Sequence, residues 1–211
     1  MLTVSTLVAF VPAALAVVLA PGPDTMVVLA RGLGGGRRAG LAAACGTATG
    51  VLLHTLAAVA GLSVLLQTSA VAYRVLTYVG AAYLVYLGVQ TIRDDEEFDV
   101  SAAAVAGDGS PRRAFRQALA VNVSNPKVAV FVLAFLPQFV PAGTAAPGEM
   151  LTLGVVYAAL GLLYLGLLAA FASQARRVVA RSERLPRVLR AISGSVLVGF
   201  AALLVLDGRH A

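Results

Sequence analysis

The chain has 211 residues, 59% apolar and 12% charged, with a mean hydropathy of +0.88. Soluble domains are about 45–50% apolar and about 25% charged, so this composition describes a membrane protein and leaves no tract for a separate soluble domain. The net charge of +6 does not mark a nucleic-acid binder, because the arginines sit in short segments between apolar runs. There they read as orientation signals and contacts to anionic lipid headgroups.

No Lys or Arg precedes Arg31. The N-terminus therefore lacks the basic region of a cleavable signal peptide, and its apolar run is read as a span. A spanning helix needs about 20 mostly apolar residues. The sequence predicts six: Val4–Ala30, Ala39–Leu66, Val75–Ile92, Phe115–Val140, Met150–Ala172 and Val188–Leu206. The single cysteine, Cys45, excludes an internal disulfide, a CxxC redox pair and a thiolate metal cluster.

The segments between spans sort by charge. Thirteen arginines follow spans 1, 3 and 5, whereas Arg74 and Arg209 fall on the opposite side. The positive-inside rule then places both termini outside. Between spans 3 and 4, the segment from Asp94 to Ser110 opens with four acidic residues and continues rich in Ala, Gly and Ser. It reads as a flexible cytoplasmic linker. The chain divides accordingly into a three-helix unit over 1–93, a linker over 94–114 and a second three-helix unit over 115–211.

The two units look related. Pro23-Asp24 in span 1 matches Pro126-Lys127 in span 4, and Arg74-Val75-Leu76 matches Arg187-Val188-Leu189. Because three is odd, the second unit would run through the membrane inverted. The expected fold is thus all-α, two inverted three-helix repeats with proline-broken helices 1 and 4. In that transporter plan the substrate sits where the breaks meet.

Span 1 is interrupted by Pro21-Gly22-Pro23-Asp24. Gly22 is expected near the N-cap of a second half-helix, Pro23 at its first position and Asp24 in its first turn, where a carboxylate complements the helix dipole. In span 4, Asn125 is a good N-cap and Pro126 suits the next position. Half-helix N-termini of this kind hold anionic groups such as a substrate carboxylate.

Lys127 is the only lysine beside fifteen arginines. Both the dipole and burial disfavour its charged form there. Lysine is a compact charge able to give up its proton, which arginine is not. Lys127 therefore reads as a carboxylate anchor, a proton carrier or both. Against this stands a plainer reading, in which Asp24 and Lys127 form a buried ion pair joining span 1 to span 4.

Other polar residues are less specific. His54, midway along span 2, relays protons or contacts substrate, or more simply hydrogen-bonds a neighbouring helix. Asn122, one turn before Pro126, is placed to face the same cavity. Gly46 and Gly50 suit close helix packing, and glycine faces also leave a homodimer open. Tyr78, Tyr83 and Tyr86 are read as packing or interfacial anchors, and Phe131 and Phe135 as core rather than gate.

These residues resemble the LysE/RhtB family of bacterial amino-acid exporters over nearly the whole chain. The resemblance rests on Pro21–Asp24, on the span 2 glycines with His54, and on Gly80-Ala81-Ala82-Tyr83-Leu84 through Gly88. Its most specific block is Asn125-Pro126-Lys127 with Phe131 and Phe135-Leu136-Pro137-Gln138-Phe139. It implies a six-span secondary transporter of the bacterial inner membrane, with no cofactor, exporting amino acids at the expense of the proton gradient. It gives functional weight to Pro21, Gly22, Pro23, Asp24, Asn125, Pro126 and Lys127.

A cation at Lys127 would welcome a carboxylate and repel basic side chains, which favours neutral substrates such as threonine, homoserine or leucine. Basic amino acids or amino-acid derivatives are the alternative. A channel or an intramembrane enzyme is the alternative of another class. The enzyme lacks support, since the only histidines are His54 and His210 and no HExxH motif or catalytic aspartate pair occurs.

Overall fold

The computed structural model describes residues 2–68, 70–93, 109–140, 147–172, 174 and 184–207. These residues form helices joined by short turns, and no strand occurs among them. In chain order they are α1 (Val4–Leu19), α2 (Pro23–Gly34), α3 (Gly36–Thr68), α4 (Ala70–Arg93), α5 (Pro111–Val123), α6 (Pro126–Val130), α7 (Pro147–Ala170) and α8 (Arg184–Asp207). Beyond Val130, α6 widens into a π-helix over Phe131–Phe135 and then tightens into a 3₁₀ turn over Leu136–Phe139. Most of the predicted linker, 94–108, lies outside the described residues, as does the arginine-bearing stretch 175–183.

Two helical stretches, Gly36–Gly61 and Pro147–Ala170, are each long and apolar enough to cross a membrane. Two further spans arise if each bent pair is counted as one: α1 with α2, bent by 59°, and α5 with the segment Pro126–Phe139, bent by 55°. The breaks therefore fall at the two proline motifs. α4 and α8, where spans 3 and 6 were predicted, are both 24-residue helices. Where span 4 was predicted, the helix begins earlier, at Pro111. There Ser110 caps the helix by accepting the Arg113 N–H, so the last residues assigned to the linker are helical.

α3 runs through the middle of the molecule, packed on α2, α5 and α7, while α4 packs along α8. Glycines permit the close crossings. Gly46 lies against the Phe115 backbone, Gly50 against the Asn122 side chain and Gly154 against Thr55. Gly46 and Gly50 thus face α5 inside the chain and offer no surface to a second copy.

Two apolar cores result. One, toward the arginine-bearing end of α2, is built largely of alanines: Ala39, Ala43, Ala44, Ala114, Ala118 and Ala169, with Val28 and Leu165. The other is larger and aromatic, and includes Phe10, Phe131, Phe135 and Tyr157. The outward faces are also apolar: Leu56, Val79, Leu163, Leu167, Phe171 and Ile192 are more than half exposed. Such a surface is stable against lipid and is an aggregation hazard in water.

Candidate functional site

The site grows out of what proline cannot do. Pro21 has no N–H, so the carbonyl of Val17, four residues earlier, loses its helical partner. α1 ends at Leu19, and α2 starts at Pro23 with Gly22 as N-cap and Asp24 in the first turn, as the sequence predicts. The second break repeats the chemistry. Pro126 has no N–H for the carbonyl of Asn122. α5 ends at Val123, and Asn125 caps α6 by accepting the Lys127 N–H through Oδ1 at 3.0 Å.

Each break then satisfies the other. Lys127, at the second break, donates from Nζ to the carbonyls of Ala20 at 2.9 Å and Val17 at 3.4 Å. It thereby caps the C-terminus of α1, where the helix dipole favours a cation. Asp24, at the first break, accepts from Asn122 Nδ2 through Oδ1 at 3.1 Å and from Asn125 Nδ2 through Oδ2 at 2.6 Å. The carbonyl of Asn122 turns instead to the Asn125 N–H at 2.9 Å and accepts a second hydrogen bond from His54 Nε2 at 3.1 Å. A carbonyl can only accept, so Nε2 of His54 carries a proton.

Asp24, Asn122, Asn125 and Lys127 are all buried, at 8%, 0%, 4% and 8% exposure. No ion pair joins Asp24 to Lys127 among the described residues. The charges are held by backbone carbonyls and by amides rather than by one another, a crossed arrangement in place of the direct ion pair of the plainer reading. Gly22 is close enough to Lys127 that a Cβ there would lie 3.1 Å from Nζ.

Around these groups lies a cavity of about 30 Å³, lined by Asp24, Lys127 and Asn122 together with Thr25, Thr47 and Tyr157. The rest of its wall is apolar: Val17, Val18, Val51, Val128, Gly161 and Leu165. Two buried polar atoms of the lining residues, Asn122 Oδ1 and Thr47 Oγ1, have no protein partner. Buried polar atoms are ordinarily paired; Asn122 Oδ1 lies on the side of Gly50, and the Thr47 hydroxyl can donate or accept. Such a volume holds about one water, and an amino acid enters only if the site opens.

The structure brings together Asp24, Asn122, Asn125, Lys127 and the flanking Pro21, Gly22, Pro23 and Pro126. His54 stands behind Asn122 rather than in the cavity wall, which matches the simpler reading of a hydrogen bond to a neighbouring helix. Sequence reasoning missed Tyr157 and Thr47. A tyrosine midway along an apolar span is the available signal for the first; Thr47, next to Gly46 in an apolar span, gives none.

His54 supplies the test of the stitched break. His54→Leu removes the second donor to the Asn122 carbonyl, which keeps the Asn125 N–H, and is expected to cost about 0.5–1.5 kcal/mol. Thermal unfolding of the purified protein would register this, with His54→Gln retaining most of the wild-type midpoint. Equal losses in both variants would contradict the assignment.

The LysE type translocator family matches residues 15–208. The chain is 32% identical over 202 residues to the uncharacterized membrane protein YrhP of Bacillus subtilis, covering 92% of this chain and 96% of that one. It is 31% identical over 195 residues to the leucine efflux protein of Klebsiella pneumoniae, covering 89% of each. It is 30% identical over 200 residues to the leucine efflux protein of Salmonella typhimurium, covering 90% of each. No solved structure matches. These relatives carry the names of membrane and efflux proteins, not of enzymes. A match over residues 15–208, together with relatives of this similarity and coverage, places the chain in the LysE type translocator family.

Proposed function

We propose that this protein is a secondary transporter of the bacterial inner membrane that exports neutral amino acids in exchange for protons. The observation that carries the reading is the crossed site. Two broken helices meet at their breaks, and each supplies the charge that the other's backbone or amides hold. Two inverted three-helix repeats, α1–α4 and α5–α8, account for this exchange, with α3 equivalent to α7 and α4 to α8. The arginine distribution sets both termini on the outer side.

The site offers a zwitterion its complement. An α-carboxylate competes for Lys127 Nζ with the carbonyls of Val17 and Ala20. An α-ammonium is received by Asp24. The remaining wall suits an apolar side chain, and its only cation is Lys127, which repels a basic one. Protonation of Asp24 removes the charge that holds the ammonium, so substrate leaves as the proton arrives. Two leucine efflux proteins among the relatives fit this substrate class.

Substrate class is tested by exchange in proteoliposomes loaded with labelled leucine. External leucine or threonine is expected to accelerate exit, and lysine at the same concentration is not. Acceleration by lysine alone would move the reading to basic substrates.

A further inference from the structure

A second cavity lies beside the first. It is a groove of about 550 Å³ between α1, the π/3₁₀ segment and α8, lined by residues that include Pro12, Ala13, Ala16, Phe135, Phe139 and Phe200. Along α1 the two spaces adjoin: Ala16 lines the groove, and Val17 lines the small polar cavity.

What separates them is a stack of aromatic rings. Tyr157, on the cavity wall, contacts Phe131 with ring centroids 4.6 Å apart. Phe131 contacts Phe135, on the groove wall, at 5.2 Å. Phe131 is 1% exposed and lines neither space. Phe10, fully buried, braces the stack from α1, against Phe131 at 6.3 Å and Phe139 at 5.1 Å.

The backbone under these rings departs from α-helical geometry. Pro137 has no N–H, so the Leu133 carbonyl lacks its helical partner. The Gln138 side chain donates to the Ala134 carbonyl at 3.2 Å. The result is π geometry over Phe131–Phe135 and a 3₁₀ turn after it. Such segments have poorer hydrogen bonding than an α-helix and recur at functional hinges.

We infer that the aromatic stack centred on Phe131 is the gate between the polar cavity and an exit vestibule, the groove lined by Phe135, Phe139 and Phe200. The inference rests on the transporter reading for its direction, toward the outer side where the N-terminal end of α1 lies. Phe10 is carried by the same helix whose C-terminal carbonyls Lys127 holds. A substrate carboxylate that draws Lys127 away from Val17 and Ala20 therefore loosens the helix that braces the gate. Substrate arrival and gate release become one event.

The test reads accessibility and needs no substrate, so it stands or falls apart from the export assay. Cys45 is replaced by alanine, and Thr47→Cys, nearly isosteric, places one thiol on the cavity wall. Alkylation by a membrane-impermeant reagent is followed from the outer side of right-side-out vesicles. Phe131→Ala is expected to speed labelling by about tenfold, since the rate follows the population of open gate, and Phe131→Leu by less.

Gly199 lines the vestibule and a Cβ added there meets nothing within 4 Å, so Gly199→Trp adds bulk to the groove without cutting the core. It is expected to slow labelling about threefold by the same logic, and it decides the matter if Phe131→Ala does not fold. Unchanged labelling in Gly199→Trp, or in a folded Phe131→Ala protein, overturns the gate. So does faster labelling from the inner side alone.

Discussion

Lys127→Arg is expected to abolish export, although it keeps the positive charge. Lys127 Nζ occupies a position bounded by Gly22 and by the carbonyls of Val17 and Ala20. The adjoining cavity is only about 30 Å³. A guanidinium is larger, planar and always charged, so it displaces α1 or turns away from its carbonyls. Lys127→Gln fails for a different reason, because a neutral amide neither complements the end of α1 nor attracts a carboxylate. Leaving buried partners unsatisfied costs about 1–3 kcal/mol each, and about 3 kcal/mol in substrate affinity corresponds to roughly 100-fold. Initial rates of leucine exchange in proteoliposomes would show both variants near background. Exchange by Lys127→Arg within a few-fold of wild type would remove Lys127 from the binding role.

Asp24→Asn is expected to abolish the response of export to a pH gradient. The replacement keeps the shape, and one of Asn122 or Asn125 must turn its amide to present an oxygen to the new NH₂ group. The cost to folding is therefore modest, about 1–2 kcal/mol. The loss to function is specific. Residue 24 no longer takes up a proton, so a pH gradient no longer drives export. Exchange of leucine for leucine is expected to fall well below wild type, because a neutral residue 24 no longer holds the ammonium, and stimulation by the gradient falls to nothing. A variant that still accumulated substrate against its gradient at the wild-type rate would contradict the assignment of Asp24 as the proton site.

The local architecture of the site was legible in the sequence because proline and its neighbours act over one helical turn. Pro21-Gly22-Pro23-Asp24 and Asn125-Pro126-Lys127 specify where two helices end and two begin, and the observed caps at Gly22 and Asn125 follow. What each charge does across the interface was not legible. Whether Lys127 meets Asp24 or the carbonyls of Val17 and Ala20 depends on how the bent pairs cross, and no local rule encodes that. The same limit hid Thr47 and Tyr157, which acquire meaning only when α3 and α7 bring them to one cavity.

His54 marks a middle case. Its polarity in an apolar helix signalled a partner, but the partner is the Asn122 carbonyl at the second break, 68 positions later in the chain. Phe131 and Phe135 read as core and are core. Their irregular backbone traces to Pro137, whose effect on the preceding turn the helical pattern concealed.

The most direct measurement of the central claim uses proteoliposomes loaded with a mixture of amino acids. Efflux would be followed with and without an imposed pH gradient, for wild type, Lys127→Arg and Asp24→Asn. The crossed site predicts that a few neutral amino acids leave wild-type vesicles faster with the gradient. It predicts that Lys127→Arg releases none, and that Asp24→Asn ignores the gradient. If nothing leaves wild-type vesicles, or all three proteins respond to the gradient alike, Asp24 and Lys127 serve only to join the two broken helices, and the transport site lies elsewhere.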